Sequence, residues 1–174
     1  NRASLEVNGI VLQSLAAGEA VLTDEEKELG VALIDFGGGV TNLAIFAENA
    51  LRHNFVLPVG GNNLTNDIAV GLPTSLTHAE ELKKHYGACL NALTDPDELI
   101  EVAGLTGRDS QTMPRSRLAD IIHMRVAEIL TLLGKEIQRA RFTHPLHSGA
   151  VLVGGTALVD GLMELAGETF NMHT

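Results

Sequence analysis

Aromatic side chains are scarce in this chain: no tryptophan, one tyrosine and five phenylalanines among 174 residues. The core must therefore be built from Leu, Ile, Val and Ala, within an ordinary hydrophobic content of 45%. A single cysteine, Cys89, excludes an internal disulfide and suits a reducing cytoplasm. No apolar run reaches the roughly 18 residues of a membrane span, and no signal peptide is visible. Positive charge is in deficit, with 12 Lys and Arg against 22 Asp and Glu, a formal net charge of −10. That balance argues against a nucleic-acid backbone or an anionic membrane surface as a direct partner. It does not exclude a nucleotide, which a loop holds through local N–H groups and a divalent cation. The length suffices for one domain with a sizeable core.

What is present is organised around residues 31–46. Residues 31–34 read as a buried strand that delivers Asp35 to a triple-glycine turn, and residues 43–46 resume as a second strand. Gly37, Gly38 and Gly39 carry no Cβ, so they can adopt positive φ and point successive N–H groups at one anion. Asp35, at the strand end, is placed to hold a metal ion or its water shell beside that anion. The competing reading is a plain hairpin turn, where glycine clusters are common.

Around this stretch the expected elements follow in order. Residues 9–15 read as a strand and 16–22 as a small-residue helix. Thr23 and Glu26 have capping-box spacing, which makes the acidic cluster helix-start chemistry rather than a metal site. Residues 51–57 form a third strand carrying Arg52 and His53. His53 has no second His or Cys at ligand spacing and reads as a surface histidine. Pro58 and Gly60-Gly61 stop this strand, and Asn62 or Asn63 caps a helix over 64–70 bearing Asp67, for which a structural role is preferred. A second capping box, Thr77 to Glu80, opens a helix ending at Gly87 as its C′ residue. Residues 91–98 are a polar loop, and 99–103 form a strand with a hairpin partner over 108–113. Ser116 is expected to cap a long amphipathic helix over 117–141, with Arg125 and Glu128 off its apolar stripe. Residues 150–153 form a last buried strand ending at Gly154-Gly155, with Thr156 beginning a closing helix.

Asp35-Phe-Gly-Gly-Gly-Val-Thr-Asn42 resembles the second phosphate loop of the actin, Hsp70 and sugar-kinase ATPase superfamily. Segments 14–30, 51–53, 60–69, 79–87 and 151–156 are similar to FtsA, the bacterial actin-like cell-division family, in that family's order. The resemblance implies an α/β fold: one lobe of an actin-like, ribonuclease H-like ATPase, a mixed sheet with flanking helices and an inserted subdomain. It divides the chain into a remnant of the first actin-like domain over 1–29, a nucleotide-binding subdomain over 30–71 and 148–174, and an insertion over 72–147. It implies ATP and Mg²⁺ as cofactors, with Asp35 toward the metal. Gly37, Gly38, Gly39, Val40 and Thr41 would face the phosphates, Glu80 and Lys83 the ribose, and Gly154 and Gly155 the adenine. Arg125 and Glu128 would contact the C-terminal tail of FtsZ, the tubulin-like partner.

The function implied is a filament-forming adaptor tethering the FtsZ ring to the cytoplasmic face of the membrane at the septum. It is a slow ATPase at most, with no nucleic-acid partner. The family's C-terminal membrane helix, first phosphate loop and most of its first domain are not in this sequence, which starts without Met and reads as a fragment. Two residues depart from the family pattern: Val40 stands where Thr is usual, and Asn42 where Asp is usual. The alternatives are an Hsp70-like or sugar-kinase-type ATPase, or a pilus-assembly relative of the same fold.

Overall fold

The computed structural model describes residues 6–105, 109–141 and 145–174. Helices α1 (Gln13–Val21) and α2 (Asp24–Leu29) lead into the hairpin strands β1 (Val31–Phe36), β2 (Thr41–Ala47) and β3 (Ala50–Leu57). Helices α3 (Gly61–Gly71) and α4 (Leu76–Tyr86) follow, then strands β4 (Leu99–Ala103) and β5 (Ser110–Pro114). Helix α5 (Arg115–Arg141), strand β6 (Ala150–Val153) and helix α6 (Leu162–Phe170) complete the chain.

The main sheet has the order β3-β2-β1-β6, with β1 parallel to β6 and antiparallel to β2. This is the expected mixed sheet of four strands. It is buried on both faces at β1, which explains why residues 31–34 and Phe36 are apolar instead of alternating, Asp35 being the one polar residue of the strand. Ala32, Ile34 and Phe36 meet the face packed with Leu64, Ile68, Ile129 and Leu162, whereas Val31 and Leu33 join Ala44 and Phe46 on the other. Helix α1 closes this second face at Gly18, where an added Cβ would lie 2.5 Å from the Phe46 ring. The separate hairpin β4–β5 covers one end of α5.

Helix α5 extends about 40 Å at the usual rise per residue. Its buried side, Leu118, Ile122, Val126, Ile129, Leu130, Leu133 and Ile137, follows the expected stripe. The capping box at the start of α2 is present: Thr23 N donates to Glu26 Oε2 at 2.8 Å and Glu26 N to Thr23 Oγ1 at 3.2 Å.

Several local expectations differ from what forms. Residues 9–12 are irregular, with Ile10 96% exposed and no strand pairing among the described residues, and 13–15 belong to α1. Helix α3 starts from Gly60, with the Asn63 amide oxygen accepting from Gly60 N at 3.0 Å instead of an Asn occupying the cap position. Helix α4 is capped by Ser75, which accepts from His78 N, and not by Thr77. Thr77 therefore lies inside the first turn. Gly87 ends α4 with φ −65°, outside the left-handed region, and a Cβ there would lie 2.2 Å from Lys83 O. Helix α5 begins at Arg115, held by Glu98 and the Tyr86 carbonyl, which leaves Ser116 within the helix. The closing helix is broken in two: a 3₁₀ turn over Gly155–Leu158, then a left-handed Gly161 ahead of α6. Of the expected partner of β4, Arg108 lies outside the described residues.

Candidate functional site

The glycine turn between β1 and β2 does not work as its composition suggests. None of Gly37, Gly38 and Gly39 adopts positive φ; among the described glycines those that do are Gly30, Gly149, Gly154 and Gly161. Close contact requires a small residue at Gly37 instead, whereas Gly39 has open space on its Cβ side. Gly37 N donates within the turn to Val40 O at 3.0 Å, and a Cβ on Gly37 would lie 2.8 Å from that carbonyl. The carbonyls of Gly37 and Gly38 accept from Gly61 N at 2.9 Å and Asn62 N at 2.7 Å, the first turn of α3. Gly60 must be glycine for this approach, since its Cβ would lie 2.6 Å from Gly37 O. With the carbonyls turned toward α3, the N–H groups of the exposed Gly38 and Gly39 donate to nothing among the described residues. The positive end of the α3 dipole lies directly behind them.

Gly154, φ 93°, brings β6 against β1: a Cβ there would lie 2.5 Å from Phe36 O and 2.7 Å from Asp35 Oδ1. Gly155 has open space on its Cβ side. Thr156 follows, buried, its hydroxyl facing Gly37 O and Gly61. Between the turn, α3, α4 and the 3₁₀ segment lies a cleft of about 500 Å³. Gly38, Gly155, Glu80 and Lys83 line it together, joined by Asn62, Lys84, His85 and Leu158. Leu158 is 85% exposed and offers the cleft a flat apolar surface.

Glu80 and Lys83 meet at this cleft in different conditions. The Lys83 ammonium lies 2.6 Å from Glu80, 3.0 Å from Gly61 O and 2.9 Å from Thr65 Oγ1, which uses its three donors. Lys83 therefore locks α4 to the first turn of α3 and has no donor left for a ribose hydroxyl. Glu80 accepts from Thr65 and lies near Lys84, yet its carboxylate remains a third exposed. Burial alone would raise its pKa; the ion pair with Lys83 and the Thr65 hydroxyl outweigh it and hold the carboxyl below its ordinary value.

The other expected residues divide. Thr41 is buried with its hydroxyl donating to Val59 O at 2.8 Å, so it braces the loop from behind and presents no oxygen to the cleft. Val40 is partly exposed on the turn. Asp35 receives a hydrogen bond from Gln13 Nε2 at 2.7 Å, a contact with no local sequence signal because 22 residues separate the two. Asn42, directly across the ladder from Asp35, is buried, and its Nδ2 has no hydrogen-bond partner among the described residues. Among the described residues no group of three or more His, Cys, Asp or Glu could hold a metal by itself. Asp35, at the end of β1 against Gly154, is a carboxylate of the chemistry that suits a cation sharing its ligands with a polyphosphate.

Arg125 and Glu128 sit elsewhere, on a groove of about 450 Å³ between α3 and α5. Arg125 forks onto Asp67, Nε to Oδ2 at 2.6 Å and Nη2 to Oδ1 at 3.1 Å, while Nη1 donates to Glu128. The hydrogen bonds to Asp67 raise the guanidinium pKa further. Asp67 thus has the structural role preferred from sequence. Exposed Val70 and Met124 form the apolar wall beside this cluster.

A family model described as "Cell division protein FtsA" matches residues 32–174. The cell division protein FtsA of Pseudomonas aeruginosa is 43% identical over 171 residues, covering 98% of this chain and 41% of the relative. That of Bacillus subtilis is 44% identical over 165 residues, covering 95% and 37%. That of Escherichia coli K12 is 36% identical over 177 residues, covering 98% and 42%. The chain thus spans about two-fifths of the length of these curated relatives. Among solved structures, MreB5 of Spiroplasma citri bound to ADP superposes with a TM-score of 0.73 at 22% identity, over 91% of this chain and 51% of that one. The PilM–PilN type IV pilus biogenesis complex gives 0.70 at 20% identity, over 94% and 40%. At these identities the likeness establishes a shared actin-like fold.

Proposed function

The chain belongs to the FtsA family of cell division proteins, and from that premise we propose that it forms one wall of the ATP cleft of an actin-like scaffold. In this reading the whole protein binds ATP with Mg²⁺, assembles into filaments and grips the C-terminal tail of FtsZ. A C-terminal amphipathic helix outside this chain links it to the cytoplasmic face of the membrane at the septum. Residues 30–71 with 148–174 form the nucleotide-binding subdomain, 72–147 the insertion, and 1–29 lead out of the first domain.

The observation that carries the nucleotide reading is the convergence of Gly38, Gly155 and Glu80 on one cleft. Phosphates would lie against the N–H groups of Gly38 and Gly39, in front of the α3 N-terminus. The ribose hydroxyls would donate to Glu80, and the adenine would rest on the Gly154-Gly155 turn and Leu158. Mg²⁺ would neutralise phosphate charge, with Asp35 as the protein's carboxylate toward it. Structures of MreB5 with ADP and with AMPPNP support an adenine nucleotide in this fold. The family match favours the division scaffold over an Hsp70-like, sugar-kinase or pilus-assembly role.

Calorimetry with ATP on the full gene product tests this reading, using Gly155→Phe to fill the cleft from a position with open space. Micromolar or tighter binding, lost in the variant at unchanged melting temperature, is expected. Equal affinity in both proteins would overturn the assignment of the cleft.

A further inference from the structure

Resting on the ATP reading of the cleft, we propose that Asp160 selects 6-amino over 6-oxo purine nucleotides by accepting a hydrogen bond from the exocyclic amine of the base. Asp160 lines the same cleft as Glu80, Gly155 and Leu158. It lies two residues beyond Leu158, on the segment against which the base rests in that reading, whereas Glu80 takes the ribose.

Its main chain is fixed. Asp160 bridges Ala88 in parallel, and its carbonyl accepts from Cys89 N at 2.8 Å, both partners being fully buried. Gly161 follows in the left-handed region, with φ 80°, at the entry to α6. The carboxylate leaves this anchored point outward and is 66% exposed. Its one charged neighbour among the described residues is Arg115, whose Nη2 lies 3.6 Å from Asp160 Oδ2, too far for a hydrogen bond. Arg115 itself is held by the Tyr86 carbonyl and Glu98, each at 2.9 Å. Asp160 thus has a fixed origin, a cation at its back and both oxygens free to accept.

The chemistry then gives a direction. A carboxylate only accepts, so it matches a base edge that donates. The 6-amino group of adenine donates, while the 6-oxo group of hypoxanthine or guanine accepts and would set two acceptors face to face. A site that hydrogen-bonds a substrate N–H rejects the analogue without it, because its own polar group is left unpaired. For a charge-assisted bond the discrimination is about 10- to 100-fold.

The test is calorimetry on the full gene product with ATP, ITP, GTP and purine riboside triphosphate, which lacks any group at the 6-position. The wild type is expected to bind ATP at least about tenfold more tightly than each of the others. Asp160→Ala should bind ATP and purine riboside triphosphate alike. Asp160→Asn, whose amide can turn either its oxygen or its N–H groups to the base, should bring ATP and ITP within about threefold of each other. The wild-type comparison needs no variant and decides the case even if neither substitution folds. Equal wild-type affinity for ATP and purine riboside triphosphate, a preference for GTP through its N1–H and 2-amino group, or unchanged discrimination in a folded variant would overturn the role of Asp160 alone. No ATP binding by the wild type would overturn both this inference and the cleft assignment beneath it.

Discussion

Lys83 directs its three N–H donors at Gly61, Thr65 and Glu80, and Glu80 is left as the group that still faces the cleft. The sequence offered both as a Glu-x-x-Lys pair, and nothing in the spacing says which one is already committed. Glu80 yields a pH-dependent prediction. Its folded pKa is depressed, so the stability it contributes is fully present above the ordinary value of 4.5 and is lost as pH falls through the lower folded value. Melting curves of wild type and Glu80→Gln should show the wild type more stable at pH 7, with the difference closing below pH 4.5. A gap that persists unchanged at low pH would contradict the ion-pair origin of the shift. Val40 and Asn42 carry a second prediction, for turnover. Neither residue offers the hydroxyl or carboxylate that would order a cation or water beside the phosphates, so binding should survive better than hydrolysis. The full gene product should release phosphate slowly, and Val40→Thr combined with Asn42→Asp should accelerate it. Rapid release that the double substitution leaves unchanged would refute that assignment.

Elements were legible where burial dictated sequence. Strand β1 is apolar but for Asp35 because both its faces are covered, and α5 shows its stripe because one side is. Helix starts were less legible, since several capping residues compete within a few positions and tertiary contacts choose among them. Ser75 takes the cap of α4 ahead of Thr77, and Arg115 is drawn into α5 by Glu98 and Tyr86. The irregular 9–12 segment reads as a strand by composition, but strands exist only with a ladder partner. Helix α3 has its first turn on the glycine-turn carbonyls and its last turns on the α5 groove. Its attachment depends on the buried side of α5, so Leu133→Ala, at a fully buried position, should cost about 2–5 kcal/mol in chemical denaturation. A loss below 1 kcal/mol would mean that α5 is not fixed to the core as described.

At the scale of the molecule, cleft and groove lie on one continuous core and share α3 between them. The cleft was legible because its glycines are clustered in two short motifs. The groove was not, because Asp67 and Arg125 are 58 residues apart and their ion pair has no sequence signature. That pair shapes the prediction for partner binding. On the proposed reading a tail carboxylate would have to displace Asp67 from Arg125, so Asp67→Asn should tighten binding of an FtsZ tail peptide. Arg125→Glu should weaken it, since reversing one member of a charge pair typically costs a few kcal/mol. Fluorescence anisotropy showing the same affinity in both variants as in the wild type would place the tail elsewhere.

On the proposed reading this chain supplies one wall of the ATP cleft, and it should then bind ATP more weakly than the full gene product, each missing charge-assisted phosphate contact being worth about 1.5–3 kcal/mol. Photolabelling of the full gene product with an azido-adenine analogue of ATP, followed by peptide mapping, tests the central claim most directly. The expected result is label on the segment from Thr156 to Asp160 or from Lys84 to Gly87, suppressed by excess ATP. Label confined to other peptides, or insensitive to ATP, would contradict the placement of the nucleotide in this cleft.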